Sequence, residues 1–137
     1  MEDKKEFGEE LFNLLVRLLN SPDNRQFFNN IRGENGVLWC LLNAEKPMSV
    51  GQLSEMMKVV PGRMADILKS LEKKGMVERK KSPLDNRVVL VSLLEPGKQK
   101  IINRRRQIQV KYNGLNDVFS DEEKAELLRL LNILLTY

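Results

Sequence analysis

The amino-acid sequence predicts a mainly α protein that carries one small β-hairpin within a single domain. Three observations predict it. Apolar residues recur at spacings of three and four over most of the chain, and two short β-rich runs are separated by a polar turn. Helix starts and stops are marked by capping boxes, prolines and a well-placed glycine. The chain has 137 residues, 42% of them hydrophobic, which is enough for one core without metal or disulfide staples.

Taken in order, residues 4–19 place Phe7, Leu11, Leu14, Leu15, Leu18 and Leu19 on one helical stripe, which Asn20-Ser21-Pro22-Asp23 stops. A short segment with Phe27 and Phe28 leads to a second, largely buried helix over 33–43, where Val37, Leu38, Leu41 and Leu42 keep helical spacing ahead of Pro47. Ser49-Val50-Gly51-Gln52 has the form of a capping box and predicts a short third helix over 50–58. From Pro61 to Lys74, Met64, Ile67, Leu68 and Leu71 fall at i, i+3, i+4 and i+7, leaving Gly62, Arg63, Asp66, Lys69, Ser70 and Lys73 on the other side. Pro61 suits a first helical turn and Gly75 the left-handed residue that ends a helix.

Residues 76–80 and 88–93 are β-rich, and the polar stretch Lys81-Ser82-Pro83-Leu84-Asp85-Asn86-Arg87 between them predicts an antiparallel hairpin with a basic tip. Helical spacing returns over 97–118 through Ile101, Ile108, Tyr112 and Leu115, interrupted by Arg104-Arg105-Arg106. That triplet reads as a solvated face, an intersubunit salt-bridge row or a second phosphate contact. Ser120-Asp121-Glu122-Glu123 opens a final helix with a second capping box, its acids at the positive end of the dipole. Leu127, Leu128, Leu130, Leu131, Ile133, Leu134 and Leu135 are too many for one stripe and imply a partner chain on the second face.

The net charge is a modest +4, but its distribution is uneven. Between Lys58 and Arg87 nine basic residues face four acidic ones, which puts +5 in this segment and −1 in the remainder. Such a concentration is the footprint of a phosphate-binding surface, with a plain solvated face as its rival reading. There is no histidine, which removes His-based acid–base and metal chemistry, and no phosphate-binding glycine motif appears. An enzyme, a metal and a cofactor are therefore not expected. No stretch approaches the roughly 18–20 apolar residues of a membrane span, and no leader pattern opens the chain, so a soluble cytoplasmic protein is expected. The single Cys40 reads as a small buried hydrophobe rather than a redox sensor.

A capped short helix, a turn, a helix with a polar outer face and a basic hairpin form the element order of a winged helix-turn-helix. A major groove about 12 Å wide admits one helix, and a hairpin beside it reaches the backbone or a neighbouring groove. The candidate DNA-contacting set is Ser49, Pro61, Gly62, Arg63, Asp66, Lys69, Lys73, Arg79, Lys81, Asp85 and Arg87. Arg63, in the first turn, is the first choice for a base contact. Lys69, Lys73 and Lys74 are phosphate-facing or solvated, and strand alternation lets only some of Arg79, Lys80 and Lys81 face DNA.

Leu68-Lys69-Ser70-Leu71-Glu72-Lys73-Lys74-Gly75-Met76-Val77-Glu78-Arg79, followed by Asp85-Asn86-Arg87-Val88-Val89-Leu90-Val91-Ser92-Leu93, resembles the MarR family of transcriptional regulators. The resemblance implies a regulator, commonly a repressor, that binds a pseudo-palindromic double-stranded operator as a homodimer. It further implies dimer contacts through residues 1–30 and 97–137, a winged lobe over 33–96, and release by a small-molecule effector. By the same resemblance Arg87 contacts DNA from the wing tip, and Asp85 holds the arginine or the turn. The alternative is a winged-helix module that binds a protein or RNA. Asp66, Pro61-Gly62-Arg63 and Leu94-Glu95-Pro96-Gly97 depart from the family's pattern, which bears on sequence preference rather than on fold.

Overall fold

Each apolar stripe becomes a helix in the computed structural model, which describes residues 2–22, 24–25 and 32–137. Asp23, Phe27 and Phe28 lie outside the described residues. In chain order the elements are α1 (Glu2–Asn20), α2 (Glu34–Ala44), β1 (Met48–Ser49), α3 (Val50–Met57), α4 (Pro61–Lys73), β2 (Val77–Lys81), β3 (Val89–Leu93), α5 (Glu95–Asn113), a 3₁₀ turn (Gly114–Asp117) and α6 (Asp121–Thr136). The chain divides into two compact units, Met1–Ile101 and Ile102–Tyr137. None of the described helices is long and apolar enough to cross a membrane.

The first unit holds the core. Val37, Leu38 and Leu41 of α2, Leu53 of α3, and Met64, Ile67, Leu68 and Leu71 of α4 are buried together with Met48, Val77, Val91 and Ile101. The i, i+3, i+4, i+7 set of α4 is thus buried in full, which leaves its opposite face for solvent or a partner. Ser49 caps α3 as its pattern requires: its Oγ accepts from the Gln52 N–H at 3.0 Å, and the Ser49 N–H donates to Gln52 Oε1 at 2.9 Å. Both bonds satisfy donors that a helix start would otherwise leave free.

The hairpin is larger than the sequence suggested. Met48 pairs with Val91 and Ser49 with Leu90, so β1 joins the hairpin in a three-stranded antiparallel sheet of order β1-β3-β2. Two residues are too few to show a strand's alternation, which is why β1 was not foreseen. The strands of the hairpin start one residue later than expected, with Val77 opposite Leu93 and Lys81 opposite Val89. The helix expected over 97–118 instead begins at Glu95, because Pro96 sits in its first turn where no N–H is needed. Its α-helical part ends at Asn113 and the 3₁₀ turn follows.

The end of α4 is closed by a Schellman motif. The Gly75 N–H donates to Glu72 O at 3.0 Å, and the Met76 N–H to Leu71 O at 2.9 Å. Gly75 adopts φ +72°, a conformation that other residues rarely take. The carbonyl of Met76 then accepts from the Leu94 N–H at 3.0 Å, which closes the base of the hairpin. Gly97, buried at the start of α5, lies against the same carbonyl.

In the second unit, α6 opens with the expected capping box: the Ser120 N–H donates to Glu123 Oε1 at 2.9 Å, and the Glu123 N–H to Ser120 Oγ at 3.1 Å. Leu127, Leu128, Leu130, Leu131, Ile133, Leu134 and Leu135 are all exposed. The single chain leaves this apolar surface in water.

A Cβ at Gly97 would stand 2.4 Å from the Met76 carbonyl oxygen, which is backbone and cannot swing away. Gly97→Ala is therefore expected to destabilise folding by about 1–3 kcal/mol. Urea unfolding of the two proteins at equal concentration measures this.

Candidate nucleic-acid interface

The geometry of α4 orders its polar residues into distinct groups. At about 100° per residue, Gly62, Asp66, Lys69 and Lys73 lie on a line opposite Met64, Leu68 and Leu71. All four are exposed. Arg63, Ser70 and Lys74 lie on one flank, and Glu72 on the other. Nothing stands within 4 Å of where a Gly62 Cβ would be, so this end of the helix presents bare backbone to its surroundings. Arg63, Lys69 and Lys73 have no ion-pair partner among the described residues, and neither does Asp66.

The flanks are used for positioning. Glu34, at the start of α2, accepts from Lys74 Nζ at 2.9 and 3.0 Å and also from the Ser70 hydroxyl. Burial works against the charge on Glu34. The hydrogen bonds from Lys74 and Ser70 and the charges of Lys74 and Lys100 outweigh it, and the carboxyl titrates below its ordinary value. On the other flank, Glu72 Oε2 accepts from Arg79 Nε at 3.0 Å and from the Arg79 backbone N–H at 3.2 Å. Hydrogen bonding from Arg79 holds the Glu72 carboxyl below its usual range. Helix α4 is thus tied to α2 by one carboxylate and to the wing by another.

Alternation on β2 sorts the wing's cations. Glu78 and Lys80 share a face and pair with each other at 3.3 Å. Arg79 and Lys81 share the face of the buried Val77, with Arg79 turned onto α4 and Lys81 exposed. At the tip, Asp85 Oδ1 accepts from the Arg87 backbone N–H at 3.0 Å and from its Nε at 3.2 Å. One carboxylate therefore holds both the turn and the arginine, while the Arg87 side chain remains 92% exposed.

Among the sequence-predicted contacts, Pro61, Gly62, Arg63, Asp66, Lys69 and Lys73 lie on α4, and Arg79, Lys81, Asp85 and Arg87 lie on the wing. Ser49 caps the neighbouring α3. Sequence reasoning missed Glu34 and the bracing role of Glu72. Glu34 lies 36 and 40 positions from its partners, and Glu72 seven from Arg79; no local periodicity signals either. Cys40 packs on the core cluster, and burial pushes its thiol up, away from the reactive thiolate.

Residues 34–89 match the model of the MarR family. Over that segment, which takes in α2 through the first residue of β3, the chain is similar to the MarR family. The chain is 33% identical over 81 residues to the uncharacterized HTH-type transcriptional regulator YsmB of Bacillus subtilis strain 168, covering 57% of this chain and 53% of that protein. The chain spans about half the length of the curated relatives it matches. Among solved structures, a MarR family protein from Bacillus stearothermophilus superposes with TM-score 0.78 at 26% identity, covering 99% of this chain and 96% of that one. FabT of Streptococcus pneumoniae, solved in complex with DNA, shares the fold with TM-score 0.68 at 24% identity, covering 98% of this chain and 94% of that one.

Because Glu34 is held below its ordinary carboxyl value, its contribution to stability is fully present above that value and is lost as pH falls through the depressed one. Glu34→Gln should lower the free energy of unfolding at neutral pH by less than about 1 kcal/mol, since Lys74 is half exposed and screened. The deficit should shrink as the pH is lowered through the acid range. Urea unfolding at a series of pH values measures both effects, and a deficit that stays constant with pH would remove the ion pair as its cause.

Proposed function

We propose that this chain is a MarR-family, sequence-specific, double-stranded DNA-binding transcriptional regulator, acting as a homodimer and as a repressor released by a small-molecule effector. One observation carries the reading. The outer line of α4 and the tip of the wing are exposed and cationic, and both are braced from behind by carboxylates that leave their outer faces open. A helix so presented suits a major groove, and a hairpin so presented suits the adjacent backbone or minor groove. The complex of FabT with DNA supports the same use of a shared fold. Effector release rests on the family resemblance.

Within this reading Arg63, in the first turn, reads base edges. Gly62 and Pro61 let the backbone come close, and Asp66 meets a donor such as a cytosine amino group. Lys69, Lys73 and Lys81 meet phosphates, Arg87 enters from the wing tip, and Asp85 and Arg79 position the wing. Ser49, at the start of α3, lies at a second backbone contact. Residues 33–96 form the DNA-binding lobe, and 1–30 and 97–137 the dimerisation region.

Selection of bound duplexes from a random pool tests the reading, and the expected product is a pseudo-palindrome. On the selected duplex, Arg63→Ala should relax sequence preference as well as affinity, at about 1–3 kcal/mol for a lost base contact. Lys73→Ala should weaken binding about equally on every sequence and lower the salt dependence by one phosphate contact. Equal effects of the two substitutions would sink the base-reading role of Arg63. Preference for single-stranded RNA or for no nucleic acid at all would replace the reading with that of a winged-helix module for another partner.

The dimer has its own support. Phe7, Phe12, Leu14, Leu18 and Leu19 of α1 are exposed, as are the leucines of α6, and apolar surface on this scale marks an interface. Sedimentation at micromolar concentration should give a dimer, with recognition helices roughly 34–36 Å apart on successive major grooves. A monomer would overturn the architecture.

A further inference from the structure

We propose that Leu84 is an apolar wedge that enters the minor groove beside Arg87 and partly unstacks a flexible base step; the proposal rests on the DNA-binding reading above. Among the described residues of the winged lobe, the large apolar side chains left exposed are Met56, Val60 and Leu84. Met56 and Val60 flank the turn before α4. Leu84 stands apart from them at the tip of the wing and is 97% exposed.

A lone surface leucine is ordinary. The turn beneath this one is not loose. The Ser82 N–H donates to Val88 O at 2.8 Å and the Val88 N–H to Asp85 O at 3.0 Å. Ser82 is itself buried, and its Oγ accepts from the Leu84 N–H at 3.3 Å. Pro83 restricts the backbone in between. Asp85 holds the far side through the Arg87 N–H. Ser82, Pro83, Asp85 and Val88 thus organise the turn on which Leu84 and Arg87 are both exposed, when a polar residue at 84 would have satisfied the same turn.

An arginine and a leucine exposed three positions apart on one hydrogen-bonded turn match one surface in particular. The narrow minor groove attracts the guanidinium through its negative potential, and an apolar side chain inserted between base pairs gains the burial it lacks in the free protein. Pyrimidine–purine steps yield most readily to such insertion. Leu84 would then add sequence preference where the wing touches no base edge, a preference for deformability rather than for hydrogen-bond pattern.

The test uses the full-length protein and duplexes selected from a random pool by wild type and by Leu84→Ala. Wild type should enrich pyrimidine–purine steps at symmetric flanking positions, and Leu84→Ala should lose that enrichment. On the wild-type duplex, Leu84→Ala should bind about tenfold more weakly, with an unchanged salt slope and a smaller bend by end-to-end energy transfer. Leu84→Met, which keeps an apolar side chain of similar size, should retain the bend. Thermal melting of the free variants should match wild type, because Leu84 has no packing to lose. Wild-type affinity, bend and step preference in Leu84→Ala, with Arg87→Ala still weakened, would overturn the wedge and leave the DNA-binding reading standing. A wild-type protein that selects no duplex would overturn both.

Discussion

The backbone of Met76 is the junction on which the geometry of the lobe depends. Its N–H closes the Schellman motif at the end of α4, its carbonyl closes the base of the hairpin through Leu94, and Gly97 at the start of α5 packs against that carbonyl. The backbone of one residue therefore sets the exit of α4, the root of the wing and the entry of α5. Gly75 makes this possible by taking a left-handed conformation directly before it. The angle between α4 and the wing is then a matter of short backbone hydrogen bonds, with little freedom for either element to rotate alone.

The side chains add a second layer to the same arrangement. Glu72 takes both the backbone and the guanidinium of Arg79, and Glu34 takes Ser70 and Lys74. These pairs lie at the surface or near it, so each contributes modestly to stability. Their consequence is directional. They draw Arg79 and Lys74 inward onto the framework and leave Arg63, Lys69, Lys73 and Lys81 for the outer surface. The count of nine cations in this segment overstates what a phosphate backbone would meet, because the brace consumes some of them.

How much of this was legible in the sequence follows from the range of each signal. The buried face of α4, the caps at Ser49 and Ser120, the proline at the start of α4 and Gly75 at its end are local patterns, read within a turn or two of helix, and the structure repeats them. The hairpin was legible through its β-rich runs, and the Asp85–Arg87 contact through the resemblance of this segment to the MarR family's wing. The strand β1 escaped because two residues carry no period. Glu34 escaped because its partners lie on another helix, and Gly97 because a close approach to Met76 is a property of the fold. The bracing of Arg79 escaped for a related reason: a strand's alternation says which residues share a face, and only the packed structure says that this face meets α4.

Asp66 is the point at which these layers leave a demand unmet. Every other carboxylate between Lys58 and Arg87 has a cation on it: Glu72 has Arg79, Glu78 has Lys80, and Asp85 has Arg87. Asp66 stands in the middle of the outer line of α4, between Gly62 and Lys69, without a partner among the described residues. Folding does not require it, since the core face of the helix is complete without it. Against phosphates alone such a carboxylate would be a cost, and a generic cationic face would be better served by a neutral residue. In a groove it gains only where a hydrogen-bond donor faces it, and among base edges in the major groove the amino groups of cytosine and adenine are the donors. Under the proposed DNA-binding function, the same group that weakens a purely electrostatic interface would restrict which sequences the helix accepts.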